Sequence, residues 1–402
     1  MINIKHKFPW FKANPEYIYM DSGATSLKPQ VMIDAVVDYY SNWSTNPHNT
    51  DSSLTHHVHD MVEDTRKVLA NLVNCDVDEV IFNSGATEGL NMIANGIVDL
   101  LQPGDEIVLT YGEHASNILP WMHIAEQKGL IIKYAGEKFR LPTAQDFKEA
   151  LTPKTKVVSF ASGFNLTGIS LHEDEITRVV KQYNPEIMVV VDATQSIQHR
   201  PINIKNENFD FMVCSAHKMF GPTGVGMVYI KKSLQPKVKP LRYGGGMNFS
   251  IETQSYSLLE GVMKYEGGTQ NIAGILGWKK AIEFILEIGY DKIHEHEVEL
   301  GKYAREKLSQ IENIIIYNEG TDSPTIAFNY KGVFCQDLAG YLGKHKIIVR
   351  SGLSCAKLYC NLIDTKALVR CSLYIYNTKE DVDKLYEVLK NFKKGDELDG
   401  IF

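Results

Sequence analysis

Between about Asp64 and Ile230 the chain repeats one theme: a short apolar run, then an amphipathic stretch whose apolar residues recur every three to four positions. This order constrains the fold most, because strands separated by helical segments assemble into a parallel sheet with helices on its faces. The expected strands are Val80–Asn83, Glu106–Leu109, Leu130–Tyr134, Lys156–Ala161, Ile187–Asp192, Asp210–Cys214 and Gly226–Ile230, making a mainly parallel seven-stranded sheet. Helical patterns such as Thr87–Leu101 and Ile118–Gln127 lie between them. After Gly244-Gly245-Gly246 the pattern changes. The long amphipathic segment Ile272–Ile288 leads into mixed helical and strand-like pieces that close on Glu380–Phe392. The expected class is therefore α/β, with a smaller α+β domain at the C-terminus. The expected division is an N-terminal segment 1–16, a large domain 17–284 and a small domain 285–402, with a ligand cleft between the domains.

Charge and composition exclude several classes. A net charge of −7 argues against holding nucleic acid by broad attraction to phosphates. No apolar run reaches the roughly 18 residues needed to span a bilayer, and MINIKHKFPW lacks a signal-peptide pattern, so a cytoplasmic location away from membranes is expected. Six cysteines are too sparse for a disulfide scaffold, and in that compartment they are expected to be thiols. Cys335, Cys355, Cys360 and Cys371 are separated by nineteen, four and ten residues, which lacks the close pairs of a structural zinc site. His56-His57-Val58-His59 opens a helical pattern and reads as partly solvated positions, so no metal is expected.

Chemistry concentrates at two strand ends. Ile187–Asp192 and Phe211–Lys218 are apolar enough to be central strands, and each delivers polar groups at its C-terminal end, where open α/β sheets bind ligands. Asp192 and Lys218 could face one pocket. That pair is what pyridoxal phosphate requires: an amine to bond the cofactor's aldehyde, and a carboxylate to keep the ring nitrogen protonated. On spacing alone Asp192 could equally cap a helix, and Lys218 could be a solvated turn lysine. Asn83-Ser84-Gly85-Ala86-Thr87-Glu88-Gly89 offers a phosphate the N–H groups of a strand-to-helix turn, including that of Ala86, with Thr87 as a hydroxyl donor. Ser215 and His217 could add donors beside Lys218.

Ser215-Ala216-His217-Lys218, followed by Gly221-Pro222-Thr223-Gly224-Val225-Gly226, resembles the cofactor-lysine motif of the class V aminotransferase fold, a fold-type-I pyridoxal-phosphate-dependent transferase fold. Within it the chain resembles group II cysteine desulfurases and selenocysteine lyases. The likeness runs from Tyr19-Met20-Asp21-Ser22-Gly23-Ala24 to Tyr376-Asn377-Thr378.

The resemblance implies roles. His114, in Gly112–Asn117, would stack on the cofactor ring; Asp192 would meet the ring nitrogen and Gln195 the phenolic oxygen. Thr87, Ser215 and His217 would hold the phosphate. Thr269, in Glu266-Gly267-Gly268-Thr269, would complete the phosphate site of a neighbouring subunit, implying a homodimer. Asn165 and Arg370 would hold the substrate carboxylate, a task suited to the planar fork of an arginine. Cys355, in Val349-Arg350-Ser351-Gly352-Leu353-Ser354-Cys355-Ala356, would be the nucleophile, its thiolate favoured by nearby Arg350.

The activity implied is conversion of L-cysteine to L-alanine, with Lys218 moving the Cα proton and a persulfide left on Cys355. A sulfur-acceptor protein follows, in iron–sulfur cluster assembly or related sulfur transfer. Two rivals need separating: a selenocysteine lyase, other C–S lyase or epimerase, which would work without Cys355, and a catalytically weak scaffold. In two places the chain departs from the family pattern. Asn49 and Ser52 stand in a loop where members carry a basic residue and a histidine, and Leu353-Ser354 precedes the cysteine where members carry a histidine.

Overall fold

The computed structural model describes residues 2–47, 51–137 and 140–396. Asn49 and Thr50, the first residues of the departing loop, lie outside them; Ser52 caps the helix Ser53–Val73, accepting from the Thr55 amide.

A two-residue strand, β1 (Ile18–Tyr19), precedes the main sheet. That sheet comprises β2 (Val80–Asn83), β3 (Glu106–Thr110), β4 (Ile131–Ala135), β5 (Thr155–Ala161), β6 (Met188–Asp192), β7 (Phe211–Ser215) and β8 (Gly226–Ile230), in the order β2-β8-β7-β6-β5-β3-β4. Each strand lies within two residues of its sequence expectation. All pairings are parallel except those of β8, which runs antiparallel to both β2 and β7. The reason is chain length: only Ala216–Val225 separates β7 from β8, fewer residues than a parallel crossover needs. The inner strands β3, β7 and β8 and the edge strand β2 are buried at every position, as expected of a sheet covered on both faces.

The helix Ala86–Ile97 covers one face, and Gly89 sets its closeness to the sheet. A Cβ there would lie 2.8 Å from side-chain atoms of both Val213 and Val228. The helix Ile272–Ile288 packs on Gln30–Asp38 over the opposite face. The N-terminal residues belong to this packing. Phe8 is 1% exposed and meets the rings of Phe220, Phe284 and Tyr376. Burying such a side chain contributes about 1.5–3 kcal/mol.

Beyond a hairpin of β9 (Asn248–Ile251) and β10 (Tyr256–Leu258), a second sheet forms from β11 (Ile314–Ile316), β12 (Thr325–Tyr330), β14 (Arg350–Gly352) and β15 (Leu368–Ser372), in the order β11-β12-β15-β14. Helices Tyr290–Leu308 and Lys379–Asn391 pack together beside it around their own apolar cluster. The short β13 (Ile347–Ile348) pairs in parallel with β1, and Asp21 bridges to Ser372, so the N-terminal strand is stitched to the C-terminal sheet. Among the described residues no helix is long and apolar enough to cross a membrane.

Candidate active site

The C-terminal ends of β2, β6 and β7 converge on a cavity of about 210 Å³. Its wall includes Ala86, Thr87, His114, Asn165, Asp192, Gln195, Ser215, His217, Lys218, Arg350, Cys355 and Arg370. Of the site residues named from sequence, only Thr269 lies outside it, exposed in a loop. A second cavity, about 500 Å³, shares Gly23, Asn165, Gln195 and Lys218 with the first.

The end expected to receive a phosphate is built by close backbone approach. Gly85 has φ +140°, and a Cβ on Gly226 would sit 2.5 Å from the Gly85 Cα, so strand end and helix start meet only as glycines. Ser215 Oγ accepts from the Ala86 amide at 2.8 Å, and Thr87 Oγ1 bonds Ser116 Oγ at 2.7 Å. His217 is pushed down to about 4 by burial and by the cations of Lys218 and Lys28. It is therefore neutral at pH 7, with one ring N–H to donate.

Asp192 is 6% exposed, and its Oδ1 accepts from the Thr194 amide at 3.0 Å. Lys218 is pushed down to about 8, burial outweighing the upward pull of Asp192; Arg370 and Arg350 push the same way as burial. An amine near 8 exchanges a proton readily at physiological pH. His114 accepts the Ser116 amide at Nδ1, 3.1 Å away, which leaves its proton on Nε2. Burial, and then the Lys218 cation, hold it below the ordinary histidine range.

Beside His114 lies a network absent from the sequence reading. Glu113 is fully buried and accepts from Thr110 Oγ1 (2.5 Å) and Asn117 Nδ2 (2.6 Å); Asn117 Oδ1 in turn accepts from Trp121 and Ser159. Burial pushes Glu113 up to about 8. The only sequence signal was one acid in the loop after β3, next to His114.

The side expected to receive a substrate comes from distant segments. Arg370, 1% exposed, spans from Asp21 Oδ1 (2.7 Å) to the Asn165 carbonyl (2.8 Å). Asp21, its acidic partner, was also missed, because the two meet only where Asp21 bridges to Ser372 on the strand that carries Arg370. Asn165 Nδ2 donates to the Ser354 carbonyl at 2.6 Å, and Gln195 Nε2 to the Gly23 carbonyl at 2.9 Å. Ser354 and Cys355 both have left-handed backbone, φ +45° and +58°, which for non-glycine residues costs about 1–2 kcal/mol each. The Ala356 amide closes this turn on the Leu353 carbonyl, and the Ala115 amide, next to His114, caps the Cys355 carbonyl at 2.8 Å. Strain of this kind persists where surrounding bonds over-determine it. Cys355 is the one exposed thiol of six. Cys360 is buried and pushed up to about 11, and burial also raises Cys75, Cys214, Cys335 and Cys371.

These residues fit pyridoxal phosphate on the structure's own terms. Asn165 Oδ1, Thr194 Oγ1, Ser354 Oγ and Arg370 Nε are buried at the cavity wall without a hydrogen-bond partner. Such orphans cost stability unless a ligand or water satisfies them. The amine, the buried acid and the hydroxyl-rich helix start match the cofactor's aldehyde, ring nitrogen and phosphate.

The model of the Aminotransferase class-V family matches residues 18–385. A protein of Ureaplasma parvum named probable cysteine desulfurase is 55% identical over 401 residues, covering all of both chains. The apo structure of the cysteine desulfurase of Thermococcus onnurineus NA1 superposes with a TM-score of 0.92 at 29% identity, covering 98% of this chain and 100% of that one. The cysteine desulfurase CsdA of Escherichia coli gives a TM-score of 0.89 at 28% identity, over 96% of each chain. A family model matched over residues 18–385, and likeness along the whole length, mean that the chain belongs to the class-V aminotransferase family of pyridoxal-phosphate enzymes, among proteins named cysteine desulfurases.

Proposed function

We propose that the protein is a cysteine desulfurase that takes sulfur from L-cysteine, releases L-alanine and leaves a persulfide on Cys355. The observation that carries this reading is the placement of the single exposed thiol, on a strained and latched turn, in the wall of the cavity that holds Lys218 and Asp192. The reaction balances internally: the substrate Cβ–S bond breaks as an S–S bond forms on Cys355, the sulfur is oxidised, the carbon is reduced, and no outside oxidant enters.

When bound, pyridoxal phosphate supplies the electron sink that makes the substrate Cα–H acidic and the Cβ–S bond cleavable. In this reading Lys218 binds it, Asp192 keeps its ring nitrogen protonated, and His114 lies over its ring. Gln195 serves the phenolic oxygen, and Ala86, Thr87, Ser215 and His217 hold the phosphate. Arg370 and Asn165 orient the substrate carboxylate. Lys218 accepts the Cα proton, and Arg350 favours the Cys355 thiolate. Thr269, exposed in its loop, reaches the phosphate of a second copy, giving a homodimer. The reading includes a large domain (17–284) and a small one (285–402) after a leading segment (1–16), a cytoplasmic location, and a sulfur-acceptor protein in iron–sulfur cluster assembly.

The test is incubation of the pure protein with L-cysteine and a reductant. Alanine and sulfide should form in equal amounts, and sedimentation should show a dimer. Sulfide without alanine, or a fully active monomer, would overturn the corresponding part of the reading.

A further inference from the structure

One carbonyl next to the cofactor lysine is surrounded by donors. The His217 oxygen lies 2.8 Å from Lys28 Nζ, 3.0 Å from the Ser26 amide, 3.0 Å from Thr25 Oγ1 and 3.1 Å from Ser26 Oγ. A carbonyl has two lone pairs, so four donors at this range exceed ordinary turn closure. All four come from Thr25–Lys28, a segment almost two hundred residues away in sequence. The same segment grips the chain on the other side of Lys218: Ser26 Oγ accepts from the Phe220 amide at 2.8 Å, and Phe220 has φ +63°. Lys218 therefore projects from a short turn clamped on both flanks.

Lys28 is the unusual member of the clamp. Its side chain is half-buried, and none of the ion pairs found among the described residues involves it. Burial pulls it down to about 7. A buried cation without an acid is costly, and a lysine free to snorkel into water would avoid the cost. Here the ammonium instead donates to the His217 carbonyl and, at 3.4 Å, to Thr25 Oγ1. Lys28 makes the shortest of the four bonds to that oxygen, and in its protonated form the bond is of the stronger, charge-assisted kind. Its cation also adds to that of Lys218 in keeping His217 neutral.

We infer that Lys28 is a positioning residue for the cofactor: it pins the His217 carbonyl, and through it the turn that aims Lys218 and His217 into the cavity. The inference rests on Lys218 and His217 meeting pyridoxal phosphate, and it does not require that the substrate be L-cysteine.

The experiment compares Lys28→Met and Lys28→Arg with the parent holoenzyme. Cofactor release is followed by visible absorbance after dilution into a trap for free pyridoxal phosphate, and unfolding of each apoprotein is followed by heating. Lys28→Met should release the cofactor about tenfold faster or more, and Lys28→Arg, which keeps charge and donors, should stay within about threefold of the parent. In turnover with L-cysteine, Lys28→Met should lower kcat by a similar factor while KM moves less than about twofold. Cofactor release needs no substrate, so a failure of the desulfurase reading leaves this measurement intact. Parent-like release from Lys28→Met would overturn the inference. So would equal impairment of both variants accompanied by an equal loss of apoprotein stability, since that pattern marks a lysine that only supports the fold.

Discussion

The two ends of the cavity are built differently. The end proposed for the cofactor takes Ala86, Thr87, Asp192, Ser215 and Lys218 from the ends of β2, β6 and β7, neighbours or near neighbours in one sheet. The end proposed for the substrate takes Asp21 from beside β1, Asn165 from a loop after β5, Arg370 from β15 and Cys355 from a strained turn after β14. Backbone pairing in the sheet places the strand ends of the first group, and short-range bonds such as Ser215 Oγ to the Ala86 amide and the Thr25–Lys28 clamp finish the aim. Side-chain and turn contacts hold the second: Arg370 to Asp21, Asn165 to Ser354, Ala115 to Cys355. The two ends are thus fixed by different means, one by the sheet and the other by contacts between segments far apart in sequence.

The harshest challenge to this contrast is Lys218→Ala. It should abolish covalent capture of pyridoxal phosphate and lower activity by about 10³-fold or more, and mass spectrometry of the borohydride-reduced parent should place the pyridoxyl group on Lys218. Label on another lysine would move the cofactor end elsewhere. Cys355→Ala asks the complementary question. The variant should bind pyridoxal phosphate as the parent does, yet lose sulfur removal from L-cysteine by about 10³-fold. Peptide mapping after alkylation should find the persulfide on Cys355 and not on buried Cys360 or Cys371. Alanine release near the parent rate would instead favour a lyase that needs no thiol.

Arg370→Lys should raise KM for L-cysteine about 10- to 100-fold while the cofactor's absorbance stays unchanged, because a point charge cannot reproduce the two-pronged bond to a carboxylate. A change in the spectrum would mean the two ends are not separable. The smallest effect concerns pH. Lys218 must be neutral to accept a proton, and burial places it at about 8, so the rate with saturating L-cysteine should rise severalfold between pH 7 and 8.5 and then level. A rate that falls over that interval would assign the proton to another group.

The cofactor end was far more legible in the sequence than the rest. Strand periodicity and the spacing of Asp192 and Lys218 are local properties, and they survived folding with shifts of a residue or two. The reversal of β8 could have been read from the shortness of the Ala216–Val225 connection. Asp21, Glu113 and Lys28 gave almost no signal. Each is an ionisable residue whose partners lie far away in sequence or beneath the sheet, and on sequence alone such a residue reads as solvated surface.

By itself the sequence determined the α/β class, the seven strands, the helices that cover them and the residue types available for chemistry, because apolar periodicity and turn residues act over a few positions at a time. Only the tertiary structure decided which polar groups are spent on one another. It tied Arg370 to Asp21, set four donors around the His217 carbonyl, left Arg370 Nε and Asn165 Oδ1 without partners, and exposed one thiol while burying five. The physical reason is that hydrogen-bond satisfaction and burial are settled between segments that meet only when the chain is folded, and no local pattern encodes that meeting.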